Sequence, residues 1–229
     1  MCFSENQSYF NALLLFATGI YSYSKTKLAI GLFFLGIKDL IQGILYRTIR
    51  KGDKALTGNY AILSWIHICF QPLCLNLFLS FFDPKNIDYW KWVLIACFFY
   101  AIVCAIHIKD LDIYHLPSCN KKYNPSNDFC ADKTTAYQGK YHLGYKFNGI
   151  DQKIIYPGLY LLLMFFPAIF TKVRPLLLAW VGLVLGVAVI FERGLNVWNG
   201  ETAALWCFLS ILYFIPITLF SDQISKMLL

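Results

Sequence analysis

Seven apolar runs, most of them close to the length of a bilayer-spanning helix, set the frame for this chain. About 20 predominantly apolar residues are needed to cross the hydrocarbon core as a helix. The runs lie at about 9–24, 28–49, 60–82, 89–108, 154–171, 176–191 and 203–220. Thr57-Gly58-Asn59 is expected to break the chain before the third run, and Asp83-Pro84 closes it. Pro72, Pro157, Pro167 and Pro216 fall within or near the runs; a prolyl kink is tolerated where neighbouring groups satisfy the freed carbonyl. The expected fold class is all-α: a polytopic integral membrane helix bundle of about seven transmembrane helices. One transmembrane domain then takes in residues 1–229, with a long polar loop at about 109–153 between helices four and five. Composition agrees, since only 14% of residues are charged, against about 25% in ordinary soluble domains. Mean hydropathy is +0.54.

The net charge of +7 is spread over short connections and forms no basic block. Nucleic acid is therefore excluded as a partner. Membrane lipids are expected instead, with basic side chains touching anionic headgroups. Acidic Glu5 precedes the first run and no basic segment does, so that run is expected to stay as a transmembrane helix and not to be a cleaved signal.

Seven spans place the termini on opposite faces. Residues 1–8, the 50–59 connection, the long loop and the 192–202 connection share the N-terminal face. Basic residues are nearly balanced between the two faces, so the positive-inside rule barely orients the chain. Cys119 and Cys130 are the two cysteines of the long loop, separated by a turn-forming stretch with Asn124-Pro125 and Asn127-Asp128. A Cys119–Cys130 disulfide would need an oxidising compartment. On that ground the N-terminus is expected to be exoplasmic and the C-terminus cytoplasmic; two free loop thiols are the alternative.

Polar residues inside apolar runs are the candidate site, because ionisable groups in hydrocarbon are costly. The second run carries Asp39 and Gln42, three apart and on one helix face; the third carries His67 and Gln71, four apart. Counted from the N-terminal face at 1.5 Å per residue, both pairs lie about 10–16 Å deep. Equal depth on sequential antiparallel helices makes an Asp39–His67 or Gln42–His67 contact feasible. A carboxylate–imidazole pair serves proton transfer or orients a metal-bound histidine. Gln42, Gln71 and Asn76 read first as interhelical hydrogen bonds and second as ligand contacts. Lys38 points roughly a quarter-turn from Asp39, placed to snorkel or to compensate another charge. Glu192 and Asn196 follow the sixth run on the same face as lid candidates for the site, and Trp198 fits an aromatic belt. His142, within Tyr141-His142-Leu143-Gly144-Tyr145, belongs to a loop segment expected to pack back on the helix ends. Cys2, with Ser4 and Glu5 close by, would ligate metal or attack a substrate only as a thiolate.

These residues carry a resemblance. The chain resembles an uncharacterised family of bacterial multi-pass membrane proteins that open Met-Cys-Trp-Ser. Their third helix carries His-Ile-x-Phe-Gln-Pro with an Asn further on. The matching residues are Met1-Cys2-Phe3-Ser4, with Phe3 in place of Trp, and His67-Ile68-Cys69-Phe70-Gln71-Pro72 with Asn76. Asp39 and Gln42, Asn196 and Trp198, and Trp206 and Cys207 match as well, and the two loop cysteines look shared. The resemblance implies a topology and marks positions, Cys2 among them; it implies no activity.

Three functions follow from this reading. The first is a membrane-embedded hydrolase of a lipid-like amide or ester. Asp39, His67 and Cys2 would be its catalytic groups, with zinc or another first-row metal held by His67, His142 and Cys2. Gln42, Gln71, Asn76, Glu192, Asn196 and Trp198 would contact the ligand. Neither a His-Glu-x-x-His motif nor the late-helix histidines of membrane ceramidase-like hydrolases occur here. The second is a proton-linked carrier or sensor of a small ligand, built on Asp39 and His67. The third is a non-catalytic membrane protein whose polar residues only hold helices together.

Overall fold

The computed structural model describes residues 4–108, 133–139, 143–147, 158–191 and 202–228, with backbone alone for 184–191 and 202–209. Its helices are α1 (Glu5–Tyr23), α2 (Ala29–Lys51), α3 (Lys54–Ser80) and α4 (Ile87–Ile106). A two-stranded sheet follows, β1 (Thr135–Gln138) and β2 (Leu143–Lys146). Then come α5 (Gly158–Ile169), α6 (Arg174–Phe191), α7 (Thr202–Leu219) and α8 (Ser221–Leu228). The first seven helices coincide within a few residues with the seven apolar runs. Among the described residues, 29–51, 54–80 and 84–106 are long and apolar enough to cross a membrane; the apolar stretches of α5, α6 and α7 are shorter.

Local chemistry sets the helix ends. Ser4 opens α1 by accepting the Gln7 N–H on its hydroxyl. Gly52 ends α2 in the left-handed region, φ 71°, which a glycine adopts without a Cβ penalty. Its N–H returns to Ile49 O and that of Asp53 to Thr48 O. Asp53 then caps α3, its Oδ1 3.0 Å from the Leu56 N–H. With the start fixed at Lys54, α3 runs through Thr57-Gly58-Asn59, so the expected break is absent. Thr57 hydrogen-bonds to Thr48 and to Asp53 O, and a Cβ on Gly58 would lie 3.4 Å from Thr134 O. Tertiary contacts offset the poor helix propensity of this stretch.

Helices α1 and α2 pack closely and antiparallel. An ideal Cβ at Gly36 or Gly43 would stand 2.8 Å from the ring of Phe16 or Tyr9. Glu5 and Arg50 pair at 2.9 Å where the N-terminus of α1 meets the C-terminus of α2. Helix α3 lies against α2, α4 and α5, and α7 lies against α1, α2 and α6. The core divides in two. One apolar cluster joins Leu28, Leu32, Leu35, Leu75, Phe78, Trp90, Trp180 and Phe214 at the end where α1 finishes and α2 begins. The other joins Ile41, Leu45, Trp65, Cys69, Cys104 and Ile108 at the N-terminal end of α1.

That second cluster includes part of the segment expected to be a polar loop, which is a correction. Strands β1 and β2 pair antiparallel, with Tyr137 opposite Gly144. Leu143, Tyr145 and Phe147 are all buried, and alternate residues of a strand share a face. The Phe147 ring lies 4.7 Å from Trp65. Gly144 leaves room for Tyr137 to lie across the pair; a Cβ there would stand 2.2 Å from its Cζ. The expectation that the His142 segment packs back on the helix ends fits this hairpin, while His142 itself lies outside the described residues. Helix α8 is an addition beyond the seventh run, and it packs Ile224 and Leu228 on the first cluster.

Candidate functional site

Between the two apolar clusters the helices carry a polar layer. Along α2, Leu35 belongs to one cluster and Ile41 to the other, with Lys38 and Asp39 between them; Gln42 follows. Along α3, Cys69 and Leu75 belong to opposite clusters with Gln71 between them, and His67 lies among Trp65, Ile68 and Cys69 at the edge of the second. Four of these side chains are nearly sealed: Lys38 is 4% exposed, Asp39 1%, Gln42 0% and His67 7%. Lys38 thus lies inside the bundle and does not snorkel outward.

His67 makes its hydrogen bond to α2, but not to the expected partner. Its Nε2 lies 2.9 Å from Phe34 O, and its ring stacks on Phe34 with centroids 3.8 Å apart. A carbonyl only accepts, so Nε2 carries the hydrogen, and Nδ1 is the atom that gains or loses a proton. Nδ1 has no hydrogen-bond partner among the described residues. The direct Asp39–His67 or Gln42–His67 hydrogen bond is therefore absent. The cause is both depth and azimuth: Phe34 and Asp39 are about 7.5 Å apart along α2 at 1.5 Å per residue. Asp39 lies five residues beyond Phe34, about 140° round the helix at 3.6 residues per turn, on the α2 face next to that of Gln42.

The layer continues into a cavity of about 30 Å³ lined by Phe34, Leu35, Gln71, Cys74, Leu75, Met164, Trp180, Ser210 and Phe214. That volume is the scale of one water molecule. Tyr160 on α5 donates a short hydrogen bond to Gln71 Oε1, so Gln71 joins α3 to α5. Both amide atoms of Gln42 are without hydrogen-bond partners among the described residues. Tyr160 and Ser210 were not singled out in the sequence. A tyrosine two residues after Pro157-Gly158, at the start of a run, was the available signal.

Asn76 has a different setting. Its Nδ2 donates at 2.8 Å to Pro72 O within α3 and at 2.8 Å to Leu163 O on α5. Asp83, just before α4, accepts hydrogen bonds from Asn86 Nδ2 and the Trp90 indole N–H. Both residues join chain segments. Cys2, Cys119, Cys130, His142, Glu192, Asn196 and Trp198 lie outside the described residues, as do the side chains of Trp206 and Cys207. Among the described residues, no three His, Cys, Asp or Glu side chains converge as a metal site, and Cys69, Cys74, Cys97 and Cys104 are free thiols.

A family model matches residues 6–228, nearly the whole chain. The chain belongs to a family of unknown function (DUF5765). The match to DUF5765 covers the polar layer and the hairpin, and it begins after the Met1–Ser4 opening. No curated protein and no solved structure matches the chain.

Proposed function

We propose that this protein crosses the membrane seven times, with α1 to α7 as the spans, and that its polar layer is a proton-linked site for a small polar solute. The observation that carries this reading is the burial of Lys38, Asp39 and His67 on the facing helices α2 and α3, inside a bundle whose core is otherwise apolar. On insertion scales, Lys and Asp at mid-membrane cost about 2.5–3.5 kcal/mol each. Interhelical hydrogen bonds average about 0.6 kcal/mol, too little to retain two such groups for cohesion alone. Support for the spans comes from the exterior, where Phe10, Leu13, Ile37, Leu63, Trp92 and Phe99 are exposed on successive helices. Apolar surface on that scale needs a nonaqueous neighbour. The N-terminus is assigned to the exoplasmic face.

The proton enters the argument through His67 Nδ1, and the solute through Gln42, Gln71 and the adjoining cavity. At about 30 Å³, water-sized as it stands, the cavity favours the smallest polar solutes over an acyl chain. The metal-hydrolase alternative depends on Cys2 and His142, outside the described residues.

Proteoliposomes loaded with a pH-sensitive dye test the proposal. A potassium diffusion potential is applied with ammonium, formate, urea or glycine outside. Wild-type vesicles are expected to move protons faster than empty ones with at least one of these solutes, and Asp39→Asn to abolish the difference. Equal rates in wild-type and empty vesicles with all four would sink the reading.

A further inference from the structure

We infer that the Ser64 hydroxyl is the link through which Lys38 and His67 exchange a proton; this rests on the proton-linked reading of the polar layer and supplies its relay. A helical serine or threonine commonly donates its hydroxyl to a carbonyl one turn back. Thr48, Thr57 and Ser80 do so, to Leu45 O, Asp53 O and Leu77 O. Ser64 is 4% exposed, yet its Oγ makes no hydrogen bond among the described residues. His67 follows three residues later on α3, and residues at that spacing are neighbours, with Cβ atoms about 5–6 Å apart. Side chains of a helix lean toward its N-terminus, so the imidazole leans toward the turn of Ser64. Its open atom is Nδ1, because Phe34 O fixes the hydrogen on Nε2. A buried hydroxyl and a buried imidazole nitrogen thus share one face of α3, and Ser64 has a single torsion, χ1, to turn between them.

The other end of the relay comes from α2. Two bonds set the register of α2 on α3: His67 to Phe34 O and Thr57 to Thr48. Counted from the first, Ser64 is level with Ile37; counted from the second, it is level with Ile41. Lys38 and Asp39 lie in the turn between. Lys38 follows Phe34 by four residues and so keeps the face that meets α3, and it is buried. Asp39 is turned about 100° further round α2. Among the described residues, these two are the charged groups on elements packed against this part of α3; α4 brings Tyr100 and Cys104, α5 Tyr160 and β1 Tyr137. The transfer balances. The Lys38 ammonium gives one N–H proton to Ser64 Oγ while the Ser64 O–H proton passes to His67 Nδ1. The positive charge moves from Nζ to the imidazolium, and the serine is a neutral hydroxyl before and after. Throughout, Nε2–H stays on Phe34 O, so the ring does not turn.

The full chain, isotopically labelled at its histidine nitrogens, is reconstituted in lipid bilayers and titrated by NMR. The His67 signals are those missing from His67→Gln. With the relay in place, the imidazole and imidazolium forms of His67 interconvert rapidly and give one averaged signal through the titration. Ser64→Ala, which keeps the small shape and loses only the hydroxyl, should slow that exchange about 10²-fold and split the signal in two. Ser64→Thr, which keeps a hydroxyl, should restore the average, and Lys38→Met should split it as Ser64→Ala does. An averaged signal in Ser64→Ala, two signals in the wild type, or a wild-type His67 that does not titrate while the chain stays folded would each overturn the inference. These spectra need no solute. Equal proton flux in wild-type and empty vesicles sinks the transport reading, whereas an averaged signal in Ser64→Ala sinks the relay alone.

Discussion

Proline inside a helix leaves one carbonyl without its donor, and in this chain Asn76 supplies the substitute. Pro167 lies within α5 and has no N–H to return to the carbonyl four residues earlier. That carbonyl is Leu163 O, the group to which Asn76 Nδ2 donates at 2.8 Å from α3. The bond therefore joins two helices and also repairs one of them. Replacing Asn76 by Leu, which keeps the branched shape, removes the donor and strands a buried acceptor. The lost interhelical bond accounts for about 0.6–1.7 kcal/mol, and an unsatisfied buried carbonyl raises the loss to about 1–3 kcal/mol. Pro167→Ala restores the N–H within α5, so Leu163 O regains a partner without Asn76. In that background Asn76→Leu should cost about 1–2 kcal/mol less than in the wild type, the coupling a double-mutant cycle isolates. The measurement is denaturation of the detergent-solubilised chain by increasing mole fraction of SDS, followed by helical circular dichroism. Equal costs in the two backgrounds, within about 0.3–0.5 kcal/mol, would refute the repair and leave Asn76 as an ordinary packing residue.

Two further outcomes are expected. Gly144→Ala places a Cβ 2.2 Å from Tyr137 Cζ, so the half-buried Tyr137 ring must swing off the strand pair and the hairpin should loosen; increased proteolysis between residues 133 and 147 in the otherwise folded chain checks this. A protease site inserted at the exposed Gly52 turn and another at exposed Lys85 should be cut from opposite faces of sealed, oriented vesicles, because α3 separates them; cleavage of both from one face would contradict the assignment of α3 as a span.

Helix positions were legible because run length and composition are one-dimensional quantities, and all seven runs became helices. The start of α3 was misread because Gly58 looks like a breaker on its own, while the Asp53 cap and the Thr57–Thr48 bond act on it from either side. The hairpin escaped notice because its two strands are four residues each, too short for alternation to stand out within a polar stretch. Depth was misjudged with the start of α3: counted from Lys54 instead of Tyr60, His67 lies six residues further in and meets α2 at Phe34, about 7.5 Å beyond Asp39 at 1.5 Å per residue. Rotation about the helix axis was not legible either. His67 reaches the turn of Phe34, while Asp39 points about 140° away, and run composition carries no information on azimuth. The donor for Leu163 was hidden for a related reason, since the proline that orphans it and the asparagine that serves it lie on separate helices.

The contrast between Asn76 and the polar layer separates cohesion from function. Asn76 and Asp83 each answer a local backbone or side-chain need: a prolyl-orphaned carbonyl in one case, the Asn86 and Trp90 donors at a helix start in the other. Remove the need and either residue becomes expendable. His67 answers no such need. Phe34 O already has the N–H of Lys38, four residues on, within its own helix, so the histidine adds a second donor to a satisfied acceptor. Gln42 joins no other group among the described residues at all. Two buried groups that repair nothing, in the layer that also holds Lys38 and Asp39, make the structure more costly to assemble. Such a cost is offset when a proton or solute binds there, and for that reason the functional reading rests on the polar layer and not on Asn76 or Asp83.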